Sequence, residues 1–217
     1  MVTLSGRGFA FNLVTLIVFI FLAVLFTGPV GNFPIGDDWQ YGYPVMTWVE
    51  NGTMEYKGVF APNILLQVAW GYLFCAIGGG FDFTWLRFST LMSAFIALIY
   101  FYKIMRSIKV KESISLLIVA LLFFSPLFYY LSFTFFTDIP FLCLCIISIY
   151  FFIKYILANE NKYLVLAVFW AGASFYIRQP GLLFIPVFSL FILWKNRFSK
   201  KAIFVGTLLV LLAFGVY

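Results

Sequence analysis

The chain has 217 residues, of which 64% are hydrophobic and only 10% charged, with a mean hydropathy of +1.05. Soluble domains run near half apolar and a quarter charged, so this composition excludes one and points to an integral membrane protein. The formal charge of +6 fits Lys and Arg gathered in cytoplasmic loops and not a nucleic-acid surface, while three Cys and no His argue against a disulfide framework or a zinc site.

In chain order, the first apolar run is Phe9 to Phe26, preceded by Arg7. It exceeds the apolar core of a signal peptide and has no A-x-A cleavage pattern, so it is expected to remain as a first span. Further runs cover Trp85 to Tyr102, Ser113 to Phe133, Ile139 to Ile156, Tyr163 to Ile177, Leu182 to Trp194 and Ala202 to Tyr217. They are continuously apolar, as membrane helices require, and do not alternate as barrel strands would. A crossing helix takes about 17 to 25 residues, so the later runs must borrow from their flanks or lie where protein shields them.

One run differs. Ile64 to Ile77 is short, contains Gln67, and is bounded by Pro62-Asn63 and Gly78-Gly79-Gly80. Its length suits a helix lying along the membrane surface. If it does not cross and the N-terminus is cytoplasmic, 11 of the 14 Lys and Arg fall inside, leaving Lys57, Arg87 and Arg178 outside, as the positive-inside rule expects. A crossing segment with an inverted N-terminus satisfies the same rule, so length decides for the interfacial version. The expected architecture is an all-α polytopic membrane module over residues 1–217, with about seven transmembrane helices and amphipathic interfacial helices in a large first extracytoplasmic loop, about residues 28–84. The last run ends at Tyr217 with no charged anchor, which predicts a shortened chain or a module of a longer one.

On this topology the outer face holds six of the eight acidic residues, among them Asp37, Asp38 and Asp138, and four of the six Trp. An aromatic loop of this kind is either an interfacial belt or the roof of a lipid-facing cavity. Residues Tyr41 to Glu50 are expected to form a short interfacial helix with Trp39, Tyr43 and Trp48 turned to lipid. Asp138, before Ile139-Pro140, is either an N-cap or a functional carboxylate at the mouth of the bundle. Arg178, in SFYIRQPG, either snorkels to headgroups or offers its planar fork of donors to a phosphate.

Those charges suit one chemistry. A sugar on a lipid phosphate has a leaving group that is stable as an anion, so a fixed cation suffices to hold it. The acceptor hydroxyl or amine is the weak partner and gains from a carboxylate that takes its proton. Asp37-Asp38 could also hold Mg or Mn, although two adjacent acids are a thin donor set. Asn51-Gly52-Thr53 fits a glycosylation sequon, a pattern short enough to arise by chance.

The order of motifs, GDDWQYG, APNILLQVAWGYLF, WLRFSTLMSAFIALIYFYKI, FTDIP and IRQPG, resembles the GT-C membrane glycosyltransferases, in the branch of dolichyl-phosphate-mannose protein mannosyltransferases and aminoarabinose transferases. The resemblance implies a polyprenyl-phosphate sugar donor, a lipid or protein acceptor, and a site on the extracytoplasmic face of the cell membrane. It places the acidic catalytic residues at Asp37 or Asp38 and at Asp138, and the carrier-phosphate contact at Arg178. Arg87 matches an Arg that opens the second span, a structural or cavity-lining position, and with Lys57 it is counted among the candidate carrier-phosphate contacts. The chain departs from the family in having Asp-Asp where Asp-Glu is usual, and Ala61-Pro62-Asn63 where a Lys-Pro-Pro-like segment is frequent. The competing readings are a polyprenyl-lipid flippase and a noncatalytic assembly subunit.

Overall fold

A computed structural model describes residues 6–56, 63–195, 197, 200, 204 and 206–208. Within them every regular element is a helix: α1 (Gly6–Thr27), α2 (Asp38–Asn51), α3 (Leu65–Ile77), α4 (Phe83–Ser107), α5 (Glu112–Phe123), α6 (Pro126–Ser132), α7 (Asp138–Ala158), α8 (Asn161–Phe175) and α9 (Phe184–Lys195), with a 3₁₀ turn at Gln179–Leu183.

By length and composition, α4 and α7 can each cross a bilayer, and α5 with α6 would make a third crossing if the bent pair is one span. The α1 helix, at 22 residues, runs about 33 Å. The run Ser113 to Phe133, expected as one span, is bent by 66° between α5 and α6. The cause is local. Pro126 lacks a donor, and it forces Ser125 into an extended conformation, φ −60° and ψ 131°, so the helix stops and restarts. With 15 residues in α8 and 12 in α9, seven full-length spans are not reached among the described residues. Most of the expected span from Ala202 to Tyr217 lies outside them.

The centre of the bundle is the α4–α7 contact, where Ala97 and Ile104 meet Cys143, Ile146 and Ile147. Outward from it, α8 and α9 close over α7 through Ala167, Ala171, Ile185 and Phe188, and Ser148 Oγ donates to the Ala167 carbonyl at 2.7 Å. On the other flank, Ile20 of α1, Val119 and Phe123 of α5, and Phe128 and Leu131 of α6 pack on Ala94, Leu98 and Tyr102. The outer surface is greasy: Phe169 is 61% exposed and Leu121 63%, which water would penalise and lipid accepts.

Chain direction alternates around α4 and α7, so the starts of these two helices and the ends of α1, α6 and α8 share one end of the bundle. Lys103, Arg106, Lys154, Lys162 and Lys195 sit at the other. The first end is capped by α2 and α3. The α3 helix, 13 residues long, is too short to cross and packs on Val45, Leu86 and Phe135. Gly71 permits that packing, because a Cβ there would stand 2.7 Å from Phe135 Cζ and 3.0 Å from Leu86 Cδ2.

Within α2, Trp39 is 48% exposed, in keeping with a lipid-facing position. Trp48 is not turned outward as expected. Its ring stacks on Tyr72 of α3 at 4.3 Å, since α3 covers the face that periodicity alone left open.

Candidate active site

The adjacent carboxylates of GDDWQYG have opposite fates. Gly36, at φ +57°, turns the chain into α2 and brings its backbone against Phe136, where a Cβ would meet Cζ at 3.2 Å. Asp38 then points inward and is fully buried. Its Oδ1 accepts from the Phe135 N–H at 2.7 Å, and its Oδ2 from the Ile35 N–H at 3.2 Å. Burial pushes the Asp38 carboxyl above its ordinary range; the Phe135 and Ile35 bonds and the Arg87 charge pull it back. Asp37, by contrast, is exposed at the head of α2, with only the Gln40 amide 3.5 Å from its Oδ1.

Asp38 therefore ties the first loop to residues 133–138, and Gln67 ties α3 to the same segment by donating to the Phe135 carbonyl at 2.9 Å. Three residues on, Asp138 lies inside the first turn of α7. It is not the N-cap: Thr137 holds that place without a side-chain cap bond. Its Oδ1 instead accepts from Arg178 Nη1 at 2.6 Å, and the two side chains remain 36% and 41% exposed. The Leu66 N–H, donating to the Tyr176 carbonyl at 3.1 Å, secures α3 to the turn that leads into Arg178.

Arg87, expected among the phosphate contacts, is 2% exposed and turned elsewhere. Its Nη1 donates to the carbonyls of Pro29 at 3.1 Å and Gly31 at 2.9 Å, its Nη2 donates to that of Phe33, and the guanidinium lies 4.7 Å from the centre of the Phe33 ring. It holds the loop that leads to Asp37. Lys57 lies outside the described residues.

Among the described residues no group of three or more His, Cys, Asp or Glu is placed to hold a metal ion. Both Asp38 oxygens face backbone N–H groups, and Asp138 faces a guanidinium, so this donor set does not fit Mg or Mn and no step is drawn through one. Beside Arg178, an apolar groove of about 580 Å³ runs between α3, α8 and the 3₁₀ turn, lined by Leu65, Leu66, Tyr176, Leu182 and Ile185.

Of the residues expected from the sequence, Asp138 and Arg178 are paired and Asp38 is tied to the segment before Asp138, while Phe135, which makes that tie, was not expected. Its role is played by its backbone, N–H to Asp38 and carbonyl to Gln67, which no side-chain pattern announces. Gln67, a polar break in an apolar helix, was the one available signal.

The helical membrane bundle thus gathers carboxylates and a guanidinium at one end, near an apolar groove. The family model for dolichyl-phosphate-mannose-protein mannosyltransferases matches residues 67–217, and the chain belongs to that family. It is accordingly a membrane glycosyltransferase. No curated protein and no solved structure matches it significantly.

Proposed function

We propose that the chain moves a sugar from a polyprenyl-phosphate donor to an acceptor on the extracytoplasmic face of the membrane, with Asp37 as general base and Arg178 as the cation that receives the carrier phosphate. The observation that carries this reading is the division of labour in the acidic pair: Asp38 is spent inside on backbone N–H groups, which leaves Asp37 exposed at the end of the bundle that holds Arg178.

The chemistry is one displacement. An acceptor oxygen or nitrogen attacks the anomeric carbon, its proton passes to an Asp37 carboxylate oxygen, and the sugar–phosphate bond breaks with its electron pair leaving on the phosphate. Arg178 has five N–H donors, and one at Nη1 serves Asp138; the others can meet the phosphate oxygens. Asp138 orients the guanidinium, so its role is positioning. Arg87 acts one step further away by fixing the loop of Asp37. The groove lined by Leu65, Leu66 and Leu182 offers the first isoprene units an apolar wall next to the charge.

The test is reconstitution of the chain in vesicles containing a polyprenyl-phosphate sugar labelled in the sugar and in the lipid. Label moving from lipid to acceptor supports the enzyme. Movement of the doubly labelled carrier between leaflets without transfer supports a flippase. Neither event, with a partner protein copurifying, supports an assembly subunit.

A further inference from the structure

At the end of the bundle opposite Asp138 and Arg178, two lysines share one aromatic ring. Lys103 Nζ lies 4.5 Å from the centre of the Tyr100 ring and 5.9 Å from that of Tyr150, while Lys154 Nζ lies 5.7 Å from the same Tyr150 centre. The two ammonium groups come from different helices, α4 and α7, which pack through Ala97, Ile104 and Cys143. Both side chains are half-buried, and neither makes an ion pair with a carboxylate among the described residues. A surface lysine that merely snorkels points away from its neighbours into water. These two are held together against their mutual repulsion.

Their depth is also specific. Each stands one turn before the C-terminus of its helix, Lys103 before Ser107 and Lys154 before Ala158, so both sit at the same end of the bundle. Along α7, Lys154 is 16 residues from Asp138, about 24 Å at the rise of an α-helix. This is not the candidate active site. Tyr100 lies at one end of a cavity of about 440 Å³ between α3, α4, α7 and α8 that extends past Leu144 and Trp170 to Gln67, Pro140 and Ile177, so that cavity belongs to the candidate active-site end of the bundle. Paired cations held against aromatic rings at the end of a membrane bundle match the phosphodiester of an anionic lipid headgroup.

We propose that Lys103 and Lys154 form a binding site for the headgroup of an anionic phospholipid in the leaflet opposite Arg178, with the phosphodiester between the two ammonium groups. The lipid phosphate removes the repulsion between the lysines, and the aromatic rings keep the charges from turning away.

The test uses the whole chain in mixed micelles and counts retained lipid by native mass spectrometry. Phosphatidylglycerol should be retained over phosphatidylcholine, and Lys103→Gln with Lys154→Gln should weaken that retention on the order of tenfold, while Lys103→Arg with Lys154→Arg keeps it. A second measurement needs no variant: in phosphatidylglycerol vesicles, acetylation of Lys103 and Lys154 should slow relative to phosphatidylcholine vesicles, and by more than at Lys162, which Glu160 already pairs. Equal retention of the two lipids, unchanged retention by the Gln variant, or equal protection by inorganic phosphate alone would each overturn the proposal.

Discussion

Arg178 Nη1 donates to Asp138 Oδ1 at 2.6 Å, joining residues 40 positions apart in the chain at the mouth of the bundle. Because both side chains keep more than a third of their surface exposed, the pair contributes little to folding: solvent screening limits such pairs to about 0–1 kcal/mol. Its placement therefore has to be explained by what Arg178 does. Asp138→Asn and Arg178→Gln should each change stability by less than about 1 kcal/mol while reducing transfer strongly, and the double variant should lose less than the sum. Arg178→Lys should restore charge but only part of the activity, since an ammonium cannot fork onto phosphate. Thermal unfolding and kinetics with varied donor measure both sides. Large destabilisation with unchanged activity per folded molecule would make the pair structural.

Asp38 predicts a pH dependence of stability. Burial raises its folded-state pKa above the unfolded value, so the folded chain binds this proton more tightly than the unfolded chain does. That contribution is full below the ordinary carboxylate value of about 3.9 and is lost as pH rises through the higher folded-state value. The melting temperature of the parent relative to Asp38→Asn should therefore be more favourable near pH ~4 than near pH ~8. A difference that is flat or of opposite sign across that range would contradict the burial account.

Gly71→Ala probes the seat of α3. The added methyl would lie 2.7 Å from Cζ of the fully buried Phe135 and 3.0 Å from Cδ2 of the equally buried Leu86, so one of them must move. Overpacking of this kind costs about 1–3 kcal/mol. Phe135 also supplies the N–H that holds Asp38, so transfer should fall as well. An unchanged melting temperature, measured by intrinsic fluorescence, would show that α3 can slide away.

Arg87→Lys tests the first loop. An ammonium cannot reach the three carbonyls of Pro29, Gly31 and Phe33 at once, and bonds from a charged donor contribute about 1.5–3 kcal/mol. The variant should lose at least about 1.5 kcal/mol and expose residues 29–36 to proteolysis before the bundle unfolds. Cleavage no faster than in the parent would deny Arg87 its anchoring role.

What could be read in the sequence follows from which forces are local. Apolar runs fixed most of the helices, and the length of Ile64 to Ile77 foretold α3 as a short element. The motif order brought Asp37, Asp38, Asp138 and Arg178 to notice together. The break at Pro126 was available in the sequence and overridden by the apolar run around it. Other outcomes depend on tertiary contact. Asp37 and Asp38 are chemically identical neighbours, and the folded backbone, through the Ile35 N–H and the Phe135 N–H 97 residues away, decides which is buried. Likewise Trp48 turns to Tyr72, and Arg87 turns to loop carbonyls, because α3 and the first loop fold onto them.

The most direct measurement compares Asp37→Asn with the parent chain in vesicles loaded with labelled polyprenyl-phosphate sugar, with folding checked by thermal unfolding. The exposed carboxylate makes no buried contact, so stability should be unchanged while the transfer rate drops by about 10²–10⁴, the usual contribution of a positioned base. Parent-like transfer by Asp37→Asn would contradict the account.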